Sequence, residues 1–320
     1  MHNYFCGWYF KCQSDTQTLA VIPAIHRSGS RSSCSIQLIT DDNAWNICFP
    51  YHAFRKRSRS LCVDIRKNHF GTDGIVLAIK NADVRVSGSV SFSGLSPIRY
   101  DIMGPFSCVP FMECRHSIVS MSHRVNGKIT VNGTCYSFDN AAGYIEGDRG
   151  RSFPGEYAWT QCCFEGGSLM LSVADIPIGR LHFTGIIAVI HFRGKEYRLA
   201  TYLGARLLRL RDGEIIIKQG SMVFSARLME KSRQPLSAPV NGSMSRTIHE
   251  SASCRAAYRF EYKGQTVFDF ESRRASFEYE YPLGLDGLKH SSPRADGPKH
   301  SSPRPNRSEV FSFGPDRSRS

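Results

Sequence analysis

The sequence predicts an all-β protein: two packed antiparallel β-barrels or sandwiches followed by a disordered low-complexity tail. Three observations predict it. Short alternating apolar runs recur with turn signals roughly every ten residues. No segment sustains a 3.6-residue period over more than about three turns. Beyond Tyr281 the chain becomes rich in Pro, Ser and Arg and repeats itself. A length of 320 residues suits two medium units, and an apolar content of 41% is enough to fill their cores.

The elements follow in chain order. "GWYFK" (Gly7–Lys11) reads as a core strand whose polar tips can line a pocket. "GIVLAIKNADVRVSGSVSFSG" (74–94) reads as strands broken at Asn81-Ala82-Asp83 and Ser87-Gly88. "VNGKITVNGTCYSF" (125–138) carries two Asn-Gly pairs, which supply the positive φ of tight hairpins and so predict three short strands. Further hairpins are predicted at Arg193-Gly194-Lys195, Asp212-Gly213, Gln219-Gly220 and Lys263-Gly264. A short helix fits 248–257. The expected organisation is an N-terminal β-domain over 1–140, a second over 141–281 and a tail over 282–320. In that tail "DGLKHSSPRA" is followed directly by "DGPKHSSPRP", with almost nothing to bury.

The net charge of +13 invites a nucleic-acid reading, but its distribution argues against one. The basic residues cluster in "HRSGSRSS" (26–33) and "FRKRSRSL" (54–61), without a basic helix, zinc finger or RNP pattern. They read as solvated loops suited to peripheral contact with an anionic membrane, with no specific nucleic-acid partner. The eleven cysteines include no CxxC pair and no zinc-type Cys/His spacing. The amino-terminal stretch lacks a basic region followed by an apolar one, so reduced thiols and a cytoplasmic location are expected. "LHFTGIIAVIHF" (181–192) is too short and too polar to span a bilayer as a helix.

The standard catalytic motifs are absent: no P-loop, no dinucleotide glycine spacing, no HExxH and no G-x-S-x-G. An enzyme of this sequence is expected to use acids, bases and cavity shape, with no metal or other cofactor. The densest polar stretch is "GYIEGDRGRSFPGEYAWTQC" (143–162). Glu146 and Asp148 are two residues apart, so in a strand they share a face and Arg149 takes the other. A carboxyl held among aromatic rings is held neutral and can donate a proton. Composition alone equally fits a surface ion-pair loop. Further polar islands hold Glu113, Arg115, His116 and His123, and Asn241, Arg246, His249 and Glu250.

These blocks carry a resemblance. "GWYFK", "YDIMGPF", "VPFMECRHSIVSM", "GYIEGDRGRSFPGEYAWTQC", "SLMLSVADIP" and "APVNGSMSRTIHESASC" together resemble the tocopherol cyclase family, in particular its bacterial members, over roughly 4–281. The resemblance implies two packed lipocalin-like β-barrels. It also implies cofactor-free ring closure of a prenylated hydroquinone or other isoprenoid, in which an alkene is protonated and the phenol oxygen captures the cation. Where plant members carry Glu, Lys, Asn or Asp, Trp and Gly, this chain carries Glu146, Gly147, Asp148, Arg149 and Gly150. On this footing Asp148 and Glu146 are the expected proton donors, Arg149 positions the acid or phenolate, and His116 and His249 are the bases. Trp8, Tyr9, Tyr144 and Trp159 line the substrate cavity, with polar contacts from Glu250 and Asn241. The alternative is a lipocalin-like carrier of an apolar molecule that performs no chemistry.

Overall fold

Along β1 (Tyr4–Gln13), Cys6, Trp8, Phe10 and Cys12 pack into one hydrophobic cluster while Tyr9, between them, packs into another. This period-two division is how a strand serves two cores at once. It organises the molecule, a computed structural model that describes residues 3–57, 61–110, 112–178, 181–230 and 234–281. The expected tail over 282–320 lies outside the described residues.

The first sheet contains β1, β2 (Thr18–Ser28), β3 (Arg31–Thr40), β4 (Ala44–Pro50), β5 (Phe54–Lys56), β6 (Cys62–Ile65), β7 (Asn68–Gly71), β8 (Gly74–Lys80), β9 (Arg85–Ser93), β10 (Cys114–Val131) and β11 (Thr134–Gly150). Its order is β4-β3-β2-β1-β11-β10-β9-β8-β7-β6-β5. The second contains β12 (Tyr157–Phe164), β13 (Gly167–Ile178), β14 (Leu181–Phe192), β15 (Lys195–Ala200), β16 (Arg206–Arg211), β17 (Glu214–Gln219), β18 (Met222–Leu228), β19 (Gln234–Val240), β20 (Ser243–Tyr262) and β21 (Gln265–Tyr279). Its order is β15-β14-β13-β12-β21-β20-β18-β17-β16, with β19 added on β20. Every pairing is antiparallel.

Each sheet encloses its own core. Phe10, Phe70 and Ile145 belong to the first, and Phe224, Phe260 and Phe277 to the second. A third cluster, with Tyr9, Tyr144, Tyr157, Trp159 and Met170, lies between the sheets. Polar bonds cross the same boundary. Tyr9 Oη lies 3.0 Å from Ser276 Oγ, Lys11 Nζ donates to the Arg274 carbonyl at 2.8 Å, and Arg198 donates to the Asp101 and Tyr100 carbonyls.

Four expectations change. Asn126-Gly127 is not a turn; it is a bulge within β10, where the register slips between Val125 and Gly127, and only Asn132-Gly133 turns the chain. Ser87-Gly88 likewise lies inside β9. Residues 248–257 form part of β20 rather than a helix, because Ile248, Glu250, Ala252, Cys254 and Ala256 are buried at every second position. The chain passes from one sheet to the other at 151–156, since β11 runs through residue 140 and stays in the first sheet to Gly150. The expected hairpins at Arg193-Gly194, Asp212-Gly213, Gly220 and Lys263-Gly264 join β14 to β15, β16 to β17, β17 to β18 and β20 to β21.

Candidate active site

The stretch that composition could read as a loop is mostly strand. In β11, Ile145 packs into the first core, while Tyr144 and Glu146 face the second sheet. Asp148, two residues on, keeps that face and is half-buried. An apolar cavity of about 120 Å³ lies here between the sheets, with Glu146 and Asp148 on one wall and Tyr157, Trp159 and Glu278 on the other. Phe106, Phe153 and Phe183 add aromatic surface. A smaller cavity, about 70 Å³, shares Glu146, Asp148 and Glu278 and is also lined by Trp8, Tyr9 and Glu250. A larger cleft, about 890 Å³, is polar and open and holds none of these acids, so the apolar cavity is where the chemistry converges.

His116 on β10 lies opposite Asp148 in the ladder. Its Nδ1 is 2.9 Å from Asp148 Oδ1, and its Nε2 is 3.2 Å from Glu146 Oε2, an ion-pair separation without hydrogen-bond alignment. Burial works against a charged imidazole, but the charges of Asp148 and Glu146 and the hydrogen bond with Asp148 outweigh it and hold His116 well above its usual value. Glu146 Oε2 also accepts from Tyr144 Oη at 2.6 Å and Trp159 Nε1 at 3.2 Å. Cys114 Sγ donates to Asp148 Oδ1 at 3.5 Å, and burial with the nearby acids raises its pKa well above the usual range, so it stays a thiol. His116, Glu146 and Asp148 each offer one ligand atom within 4.8 Å of the others, a spacing that could hold a cation.

On the opposite wall the environment disfavours the charged carboxylate. Glu278 on β21 faces Glu250 directly across the β20–β21 ladder, and both are buried. Desolvation and the charge of Glu146 raise both carboxyls, and the charge of Glu250 raises Glu278 further, while hydrogen bonds from Tyr9 and Glu278 hold Glu250 back; Glu250 is pushed up to about 7 and Glu278 well above its usual value. Tyr157 donates a short hydrogen bond to Glu278 Oε2. Glu250 Oε1 is buried without a hydrogen-bond partner among the described residues, a position that a proton relieves.

Of the sequence candidates, Glu146, Asp148, His116, Tyr144 and Trp159 come together at this cavity, and Trp8, Tyr9 and Glu250 at its neighbour. Three do not. Arg149 is exposed, on the face of β11 away from the acids. His249 is exposed on β20 because its neighbours Ile248 and Glu250 take the buried side; its backbone N–H donates to Glu280. Asn241 sits at an exposed turn with φ 48°. Sequence reasoning missed Glu278 and Tyr157. The signal for Glu278 was present in "SFEYEY" (276–281), where glutamates alternate with aromatics in a strand pattern.

Known proteins can be set beside this geometry. Residues 84–203 match the family described as tocopherol cyclase-like. The protein named "Probable tocopherol cyclase, chloroplastic" from Oryza sativa subsp. japonica is 30% identical over 108 residues, 32% of this chain and 23% of that relative. The match thus spans about a quarter of the relative's length. The solved structure of CghA superposes with a TM-score of 0.57 at 11% identity, covering 88% of this chain and 90% of CghA. That of kievitone hydratase from Nectria haematococca superposes at 0.52 and 11% identity, covering 87% and 89%. At such identities the likeness is one of fold, that of two packed lipocalin-like all-β units. Motif resemblance and family match agree over one stretch: residues 84–203 are similar to the tocopherol cyclase-like family.

Proposed function

We propose that this protein is an acid–base enzyme of the cyclase/isomerase kind that closes a ring on a prenylated hydroquinone or related isoprenoid. The observation that carries the reading is the pair of opposed carboxyl systems at the apolar cavity and the smaller one that adjoins it. Glu146 and Asp148 bracket a cationic imidazole, while Glu278 and Glu250 are held toward the neutral form. Environments that push titratable groups apart identify an acid and a base.

In this reading the proton donor is Glu278 rather than Glu146 or Asp148. Its carboxyl protonates the alkene, and the faces of Trp159 and Tyr157 border the developing carbocation. The phenol oxygen attacks the cation, and its proton passes to Asp148, which is half-buried and already oriented by His116. Glu146, fixed by Tyr144 and Trp159, supplies fixed negative charge beside the cation. One C–H and one C–O bond form while the alkene π bond and the phenolic O–H bond break, so the product is an isomer of the substrate; the proton taken up by Asp148 returns to Glu278 before the next turnover. The balance is redox-neutral and calls for no cofactor. The cavity accommodates the reacting end of the substrate rather than a whole prenyl chain.

The test is to incubate the full chain with a panel of prenylhydroquinones and analyse by mass and retention. A product of unchanged mass that has lost one phenolic hydroxyl is expected. A product heavier by one water would make the protein a hydratase. Recovery of every substrate unchanged would overturn the enzymatic reading in favour of a carrier.

A further inference from the structure

Away from the cavity, the hairpin of β6 and β7 gathers a second group of side chains with ligand chemistry. Val63 and Ile65 on β6 are buried in the first core, so Cys62 and Asp64 share the opposite face. The register sets Asp64 against His69 and Cys62 against Gly71. One ligand atom each from Cys62, Asp64 and His69 lies within 4.8 Å of the others. His69 Nδ1 is 2.8 Å from Asp64 Oδ1, and both side chains are about one-third exposed, at 29% and 34%.

The other ring nitrogen points to a further acid. His69 Nε2 is 3.5 Å from Asp73 Oδ1. Gly71 makes that approach possible. A Cβ there would lie 2.2 Å from Asp73 Oδ1 and 2.9 Å from His69 Nε2, so any side chain would evict the carboxylate. Among the described residues the ion pairs of Asp64 and Asp73 are all with this one imidazole. Two carboxylates and a half-buried thiol thus converge on a single imidazole, with Arg55 opposite Asp64 in the β5–β6 ladder.

We propose that Cys62, Asp64 and His69 form a binding site for a divalent cation of the zinc class, with Asp73 as the outer carboxylate that orients the imidazole. A thiolate, a carboxylate oxygen and an imidazole nitrogen are the donor types such ions take, and a water completes the tetrahedron. Tetrahedral zinc separates its donors by about 3.6 Å, given bonds of about 2.0–2.3 Å, so small side-chain rotations close the site. A ligating histidine that donates its other N–H to a carboxylate is the usual outer arrangement. Thiolate and Asp64 together neutralise the ion. The expectation of no zinc site rested on CxxC-type spacing, which a cross-strand site does not need. The ion would fasten β6 to β7, strands of four residues each, near the end of the sheet.

The experiment titrates chelator-stripped full-length protein with Co²⁺. Tetrahedral visible bands and a thiolate-to-cobalt charge-transfer band, saturating at a single equivalent and displaced by Zn²⁺, are expected. Cys62→Ser should abolish the charge-transfer band, and Asp73→Asn should weaken affinity by roughly 10–100-fold. His116→Gln controls for the cavity acids, which also lie beside a thiol, and should leave the bands intact. Absence of the band in the unmodified protein, its survival in Cys62→Ser, or its loss in His116→Gln would each overturn the proposal.

Discussion

Glu250 is the clearest case of a single side chain whose environment dictates its chemistry. It is buried opposite Glu278 and within the field of Glu146, so its charged form is disfavoured twice. Its folded value of about 7 stands above the ordinary value of 4.5. The stability it contributes is therefore complete below about pH 4.5 and is lost as pH rises through about 7. His116 acts in the same sense at higher pH, whereas Glu196, whose pKa is lowered despite burial by bonds from His191, Arg99 and Arg198, contributes above its usual value and loses that contribution as pH falls. Glutamine mimics the neutral carboxyl and cannot ionise. Thermal melts from about pH 5 to about pH 8 should fall more steeply for the unmodified protein than for Glu250→Gln. Parallel curves would mean that Glu250 is not held neutral in the folded state.

At the scale of the element, β11 is a strand that its own composition disguises. Gly143, Gly147 and Gly150 suggest a loop, yet at Gly143 and Gly147 the requirement is space rather than a left-handed backbone. A Cβ at Gly147 would sit 2.7 Å from Trp8 Cδ1 and 3.2 Å from the Gly7 carbonyl, and one at Gly143 would sit 2.2 Å from His123 Nε2. Large side chains of the flanking strands lie across these gaps, and that packing keeps Tyr144, Glu146 and Asp148 in register. Gly147→Ala should therefore cost about 1–3 kcal/mol in urea unfolding, a penalty of overpacking. A stability equal to that of the unmodified protein would show that Trp8 can move aside freely. The alternation of β20 was equally present in the sequence, but small residues at 252–257 also suit a helix, and only pairing with β18 and β21 decides between them.

For the whole molecule, the legible part of the site and the illegible part come from different sheets. The shared face of Glu146 and Asp148 follows from their spacing, and the tight hairpins follow from their Gly-containing turns. The pairing of β12 with β21, which brings Glu278 to the same cavity, depends on contacts between segments far apart in the chain. Arg149 and His249 were misplaced for a related reason: proximity to a motif says nothing about which face a residue takes. Because the cavity walls belong to both sheets, a ligand bound there holds the sheets together and must stabilise the entire fold. A prenylhydroquinone at about 100 times its Kd should add about 2.7 kcal/mol to stability, read as a rise in Tm. Glu278→Gln preserves shape and removes the transferable proton, so it should show the same rise while turnover drops by roughly 10²–10⁴-fold. A carrier would show the rise with no product from either protein. Full turnover by Glu278→Gln would return the donor role to Asp148 or Glu146, and the lack of any rise in Tm would remove the cavity as the binding site.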